Sequence, residues 1–191
     1  MRRLLLVVVA ALLLAGCATG ADAVAPGGTF EFVSPGGKTD LFYDPPASRG
    51  TVGDLSGDSL TEPGTAVSLA RYANKVVVLN IWGSWCGPCR SEAPDLVRVA
   101  SATADQGVQF IGINVRDSQQ AGADFARDFG LTYPSIFDPP GRTLFALKGI
   151  PRSVVPLTIV LDRHHRVAAV FLHAVHAQDL QPVVQRVAQE P

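Results

Sequence analysis

Cysteine is scarce in this chain, with three in 191 residues. A fold stapled by structural disulfides needs thiols to spare, so the stability of any folded unit here must come from its apolar core. Charge in excess of one sign is also lacking. Lys and Arg total 16 against 17 for Asp and Glu, a net charge of -1, which leaves no electrostatic reason to expect nucleic acid or an acidic partner. No apolar run reaches the length of about 20 residues that a bilayer-spanning helix needs, and no internal repeat is visible. Hydrophobic residues make up 47% of the chain, enough for one domain with a proper core once targeting and linker segments are set aside.

The N-terminus has the layout of an export signal. Met1-Arg2-Arg3 is basic, Leu4 to Ala15 is unbroken apolar sequence, and Gly16-Cys17 follows at a small-residue cleavage point. A retained transmembrane helix is the competing reading, and the shortness of the run argues against it. The residues Leu14-Ala15-Gly16-Cys17 resemble the bacterial lipobox. That resemblance implies that the Cys17 thiol takes a diacylglyceryl group and becomes the mature N-terminus, held at the outer side of the cell membrane. Each buried methylene of an acyl chain contributes about 0.8 kcal/mol, so more than one chain on Cys17 makes a stable anchor. The expected organisation is a lipoprotein signal peptide over 1–16, a lipid anchor and flexible tether over 17–48, and a folded domain over 49–191. The tether is rich in Gly, Ala, Pro and Ser, with one β-prone run from Thr29 to Val33.

Regular structure is expected from Lys75. The run Val76-Val77-Val78-Leu79-Asn80-Ile81-Trp82 has the length of a strand buried on both faces. Pro88 sits where a helix tolerates proline, in the first turn, and Leu96, Val97, Val99 and Ala100 follow at roughly helical spacing. Val108 to Val115 reads as a second strand, and Ala121, Phe125 and Phe129 before Gly130 read as a second helix. Thr143 to Lys148 suits a short helix. Leu157–Leu161 and Val167–Leu172 flank the turn-like Asp162-Arg163-His164-His165 as a hairpin, and Leu180, Val183, Val184 and Val187 form one face of a last helix. Arg49 to Leu69 reads as a hairpin-like entry segment. The sum is a parallel βαβ half joined to an antiparallel ββα half, an α/β fold with a mixed central sheet flanked by helices.

The strongest chemical signal is Trp82-Gly83-Ser84-Trp85-Cys86-Gly87-Pro88-Cys89-Arg90. A Cys-x-x-Cys pair is either half of a zinc site or a redox pair. No further cysteine is available outside the lipobox to complete a structural zinc site, which favours redox chemistry. Two residues between the thiols, in the first turn of a helix, bring the sulfurs close enough to bridge and leave Cys86 at the exposed end. The helix terminus favours the Cys86 thiolate and can lower a cysteine pKa from about 8.5 to about 7 or below. Cys86 is therefore expected to attack a substrate disulfide, and Cys89 to resolve the mixed disulfide that forms.

On these residues the sequence resembles the thioredoxin superfamily, and within it the membrane-tethered TlpA-like and ResA-like reductases, from about Val67 to the C-terminus. Supporting pieces are the strand before the motif, Arg90-Ser91-Glu92-Ala93-Pro94 after it, Gly112-Ile113-Asn114-Val115, and Pro156-Leu157-Thr158-Ile159-Val160-Leu161-Asp162. The resemblance implies a thioredoxin-like fold and a cis-proline at Pro156 opposite the cysteines, with the Val155 backbone free to pair with an extended substrate. An ordinary trans proline opening an edge strand is the alternative, and Pro151 is a competitor. Trp85, Gly87 and Pro88 would line the substrate contact. Glu92 stands at the family's acidic position, where it would tune the thiols or move a proton, although an exposed Glu in a first helical turn is also favoured by the helix dipole. Asn80 replaces the buried aspartate of ordinary thioredoxins, and Leu157 replaces the usual threonine.

The resemblance further implies a monomeric extracytoplasmic thiol-disulfide oxidoreductase without a cofactor. It would be fed by a membrane electron donor and act on disulfides of exported proteins, apocytochrome c among them. Related folds span potentials from about -270 to -120 mV, so a disulfide-forming oxidase is a variant of the same reading. A tethered copper- or haem-binding protein, drawing on His173 and His176 beside the thiols, is the alternative of a different class. Histidines at a hairpin turn and a strand end are ordinarily solvated, so no metal site is expected.

Overall fold

The computed structural model describes residues 28–191. The expected signal peptide and Cys17 lie outside the described residues. Strands are β1 (Asp40–Phe42), β2 (Ser56–Asp58), β3 (Ala66–Ser68), β4 (Val76–Trp82), β5 (Val108–Asn114), β6 (Ser135–Phe137), β7 (Leu157–Leu161) and β8 (Val167–Phe171). Helices are α1 (Gly87–Thr103), α2 (Gln119–Asp128) and α3 (Ala177–Ala188). Six strands form one mixed sheet in the order β1-β8-β7-β4-β5-β6, and β2 with β3 forms a separate antiparallel pair. Strands β4, β5 and β6 run parallel, while β7, β8 and β1 are antiparallel to their neighbours.

The apolar run of β4 is buried along its whole length, and its period-2 alternation divides the core. Val76 and Val78 point to the helical side, with Leu96 and Val99 of α1 and Leu180, Val184 and Val187 of α3. Val77, Leu79 and Ile81 point the other way, to Phe30, Val52, Leu55, Leu144, Leu147 and Ile150. Helices thus cover one face, and irregular segments with a short 3-10 turn at Thr143–Ala146 cover the other. A strand covered on both faces needs no polar side, which accounts for its unbroken hydrophobicity.

The folded unit begins earlier than position 49. Phe30 is buried and meets the Tyr43 ring edge-on at 5.6 Å, and β1 adds to the sheet beside β8. Phe30, Leu41 and Tyr43 are isolated anchors in a Gly- and Pro-rich stretch, so composition alone reads as tether while burial holds the segment down. The edge strand lies at Asp40–Phe42 rather than at Thr29–Val33, where only an isolated bridge from Thr29 to Thr51 forms.

Candidate active site

The end of β4 delivers the cysteine motif at the carboxyl edge of the parallel strands. There the chain turns through Gly83, Ser84 and Trp85 into α1. Cys86 is the N-cap of α1, and its Sγ accepts a hydrogen bond from Cys89 N at 3.2 Å. The two cysteines are joined as a disulfide with their Cα atoms 5.3 Å apart, within the range such a bridge requires. Pro88 in the first turn forfeits only an N–H that the helix would leave unpaired.

The exposed outer sulfur expected from the sequence is corrected here. In the disulfide state Cys86 is 3% exposed and Cys89 2%, packed among Leu60, Trp82, Ala93, Phe125 and Ala126 with Val155 against them. What remains at the surface is the frame of Trp85, Gly87 and Pro88, all exposed.

The approach loop is fixed by Asp117, which the sequence reading missed. Its carboxylate accepts from Ser84 N and Ser84 Oγ, both at 2.7 Å, from Asn114 Nδ2 at 2.9 Å and from Ser118 N at 3.0 Å. Partial burial works against its charge, yet these donors hold the carboxyl below the usual range. Its only sequence signal was position, just past the end of a strand. Trp85 is 49% exposed and donates from Nε1 to Val115 O at 3.2 Å. The Arg116 guanidinium stands 4.6 Å from the ring centroid.

Opposite the helix end, the Val155–Pro156 peptide is cis and leads directly into β7. Among the described residues the Val155 N–H and C=O take no backbone partner. Leu157 is buried in the non-helical half of the core. The second cis proline, Pro45 after Asp44, lies on the far side of the fold. Pro151 instead accepts a turn hydrogen bond from Val154.

Glu92 is 1% exposed, not solvated as one sequence alternative had it. α1 buries Cys89, Glu92, Ala93, Leu96, Val99 and Thr103, an i, i+3, i+4 stripe that carries the carboxyl inward one turn beyond Cys89. Oε1 accepts from Asn80 Nδ2 and Oε2 from Val175 N, each at 2.9 Å. Asn80 also donates to Thr158 Oγ1 at 3.1 Å, its partner across β4 and β7. Burial pushes the Glu92 carboxyl up to about 7, against the pull of those two hydrogen bonds and of His173. Such a group exchanges protons near neutrality. His173 turns to Asp40 and the Ala174 carbonyl, and His176 to Asp95 at 3.3 Å. Neither is brought to the cysteines, and among the described residues no cluster of three or more His, Cys, Asp or Glu is arranged to hold a metal ion.

The sequence profile of the Redoxin family matches residues 46–185. A secreted thiol-disulfide isomerase from Corynebacterium glutamicum is 49% identical with a TM-score of 0.82, over 86% of this chain and 100% of its own. A DsbF homologue from Corynebacterium diphtheriae is 54% identical with a TM-score of 0.79, over 83% of this chain and 99% of its own. The thiol-disulfide oxidoreductase ResA of Geobacillus kaustophilus is 31% identical over 113 residues, 59% of this chain, and the chain spans 63% of that relative's length.

Proposed function

The chain belongs to the redoxin family, within the thioredoxin-fold thiol-disulfide oxidoreductases of the ResA and DsbE type, and from that premise we propose that it reduces disulfides of exported proteins outside the cytoplasmic membrane. The observation that carries this reading is the Cys86–Cys89 disulfide at the start of α1, with the unpaired Val155 backbone before cis Pro156 and the near-neutral Glu92. With the pair reduced, the Cys86 thiolate attacks one sulfur of the client disulfide, forms a mixed disulfide and expels the other client sulfur as thiolate. Cys89 loses its proton to Glu92 and attacks Cys86 Sγ, which regenerates the internal disulfide and frees the second client thiol. Two electrons pass to the client, and a membrane donor restores the dithiol. Val155, Trp85, Gly87 and Pro88 contact the client strand, and Pro156 fixes the Val155 backbone. The haem-attachment cysteines of apocytochrome c are the client class that the family resemblance suggests.

The test is insulin reduction by the purified chain with dithiothreitol as donor. Cys86→Ser is expected to abolish it, and activity that survives the substitution refutes the reading. The equilibrium potential of the Cys86/Cys89 pair decides direction: a value towards the thioredoxin end, about -270 mV, supports reduction, and one near -120 mV points to oxidation.

Anchoring through a lipid on Cys17 completes the proposal and rests on the lipobox-like sequence. Cys17→Ser is expected to move the protein from the membrane pellet to the soluble fraction. An unchanged pellet, with no acyl mass on the N-terminal peptide of the wild type, rules the anchor out.

A further inference from the structure

The loops that end β4, β5 and β6 and the loop that precedes β7 converge at the cysteine edge, and three arginines stand there on aromatic rings. Arg90 lies over the buried Phe125 and the half-buried Phe129, with its Nη2 given to Ser84 O, and Arg116 and Arg152 lie on exposed rings. The Trp85 indole lies against Gly83 so closely that a Cβ at that position would come within 2.4 Å of Nε1. That contact, together with the Nε1 hydrogen bond to Val115 O, fixes the ring. Arg116 sits over the ring with its own backbone at φ 52, a left-handed conformation that non-glycine residues seldom adopt. Its Nη2 donates to Ser153 O at 3.5 Å. Arg152, the neighbour of Ser153, holds its guanidinium 4.5 Å from the centroid of Phe145, a ring left 65% exposed.

Neither Arg116 nor Arg152 forms an ion pair among the described residues. Three acids at this edge are already engaged. Asp117 holds the Ser84 loop, Asp138 accepts from Arg142 N, Thr143 N and Thr143 Oγ1, and Asp40 faces His173. A guanidinium laid on an aromatic face is partly desolvated and pre-oriented, and its remaining N–H groups match a carboxylate.

We propose that Arg116 and Arg152 are specificity-determining residues that read an acidic side chain of the client close to its reacting cysteine. This rests on the disulfide-reductase reading. The client strand passes between Trp85 and Val155 to reach Cys86, so side chains a few residues from the client cysteine reach Arg116, which lies over Trp85, and Arg152, which adjoins the Ser153 carbonyl that Arg116 bonds. An Asp or Glu there gains a stacked guanidinium, and a Lys or Arg meets like charge.

The experiment uses the full chain in detergent, reduced, with two disulfide-looped peptides that are identical except for Glu or Lys on either side of the attacked cysteine. In each turnover the Cys86 and Cys89 thiols give two electrons and two protons to the peptide disulfide, leaving two peptide thiols, and dithiothreitol, oxidised to its cyclic disulfide, restores the dithiol, the uncatalysed rate being subtracted. The readout is the ratio of kcat/KM for the Glu peptide to that for the Lys peptide. The wild type is expected to favour the Glu peptide by about tenfold at low ionic strength, carried by KM and fading as salt screens the charges. Arg116→Gln with Arg152→Gln brings the ratio close to one. Arg98→Gln, which removes an exposed arginine further along α1, leaves it unchanged. A ratio that survives the double substitution, or falls equally with Arg98→Gln, overturns the inference. A wild type that reduces neither peptide refutes the reductase reading itself, and this inference with it.

Discussion

At Glu92 a helix stripe and a redox site make opposite demands on one side chain. Its place between Cys89 and Leu96 on α1 turns it into the core, where charge is costly, and burial raises its pKa from 4.5 to about 7. Below the lower value both the native and the unfolded chain hold the proton. Between the two values the native state keeps a proton that the unfolded chain releases, so stability falls as pH rises through this window and the loss is complete above it. The whole change is on the order of 3 kcal/mol. Glu92→Gln cannot ionise, so its urea midpoint should vary much less between pH 5 and 8 than that of the wild type. His173 contributes to the slope that remains: burial opposes its charge, but its bonds to Ala174 and Asp40 and the Glu92 charge raise its pKa, the last of these being lost in the variant. Denaturation at stepped pH checks this, and a wild type with no more slope than the variant rejects it. The same substitution should slow resolution by Cys89 at neutral pH, since the proton acceptor is gone.

Elements with a strong local pattern were legible in the sequence, and those defined only by their neighbours were not. The β-branched run of β4, Pro88 in the first turn of α1 and the β7–β8 hairpin each carry their own signal, and all lie where the pattern puts them. Strand β6 is three residues, Ser135–Phe137, too short for any periodicity, and forms because β5 offers an open edge. Its approach to β5 is possible because position 112 is Gly: a Cβ there would fall 2.2 Å from Ser135 Oγ and 2.7 Å from Trp82 Nε1. Strand β1 is equally short, with the pattern exposed-buried-exposed, and is held by β8 rather than by propensity. The burial of Glu92 was legible in principle, because the spacing that assigns Leu96 and Val99 to the core also assigns position 92. The hydrogen bonds of Asp117 and the stacking of Arg116 on Trp85 join residues from separate loops, and no local sequence pattern records such meetings.

On the scale of the molecule the sheet has two poles. The cysteines occupy one, where β4 ends and β7 begins. At the other, Thr51 bridges Thr29 and Arg166, Gly28 O accepts from Thr51 N, and the described chain begins. The lipid proposed for Cys17 would join the described chain at this pole, away from the redox site. The attachment pole is held by Arg49, whose side chain is fully buried. Its guanidinium bonds Asp44 at 2.8 Å, Asp162 at 3.3 Å and Glu190 at 2.5 Å, and its Nε donates to Tyr43 O at 2.8 Å. These contacts tie the N-terminal segment, the β7–β8 turn and the end of the chain after α3 to one cation. Burial disfavours the charge, but hydrogen bonds to Glu190, Asp44 and Asp162 raise the pKa and keep it. Removing the cation leaves Asp44 and Glu190 with the partly exposed Arg186 as their one cation among the described residues, and the buried Asp162 with Arg166 and the His164 N–H. Arg49→Ala should therefore cost about 3–5 kcal/mol, the range for breaking a buried pair from one side. Arg49→Lys keeps the charge but cannot span four acceptors, so an intermediate loss is expected. Thermal and urea unfolding measure both. A loss below about 1 kcal/mol in Arg49→Ala would mean that these contacts behave as surface pairs and that the pole is held by the packing of Phe30 and Tyr43 instead.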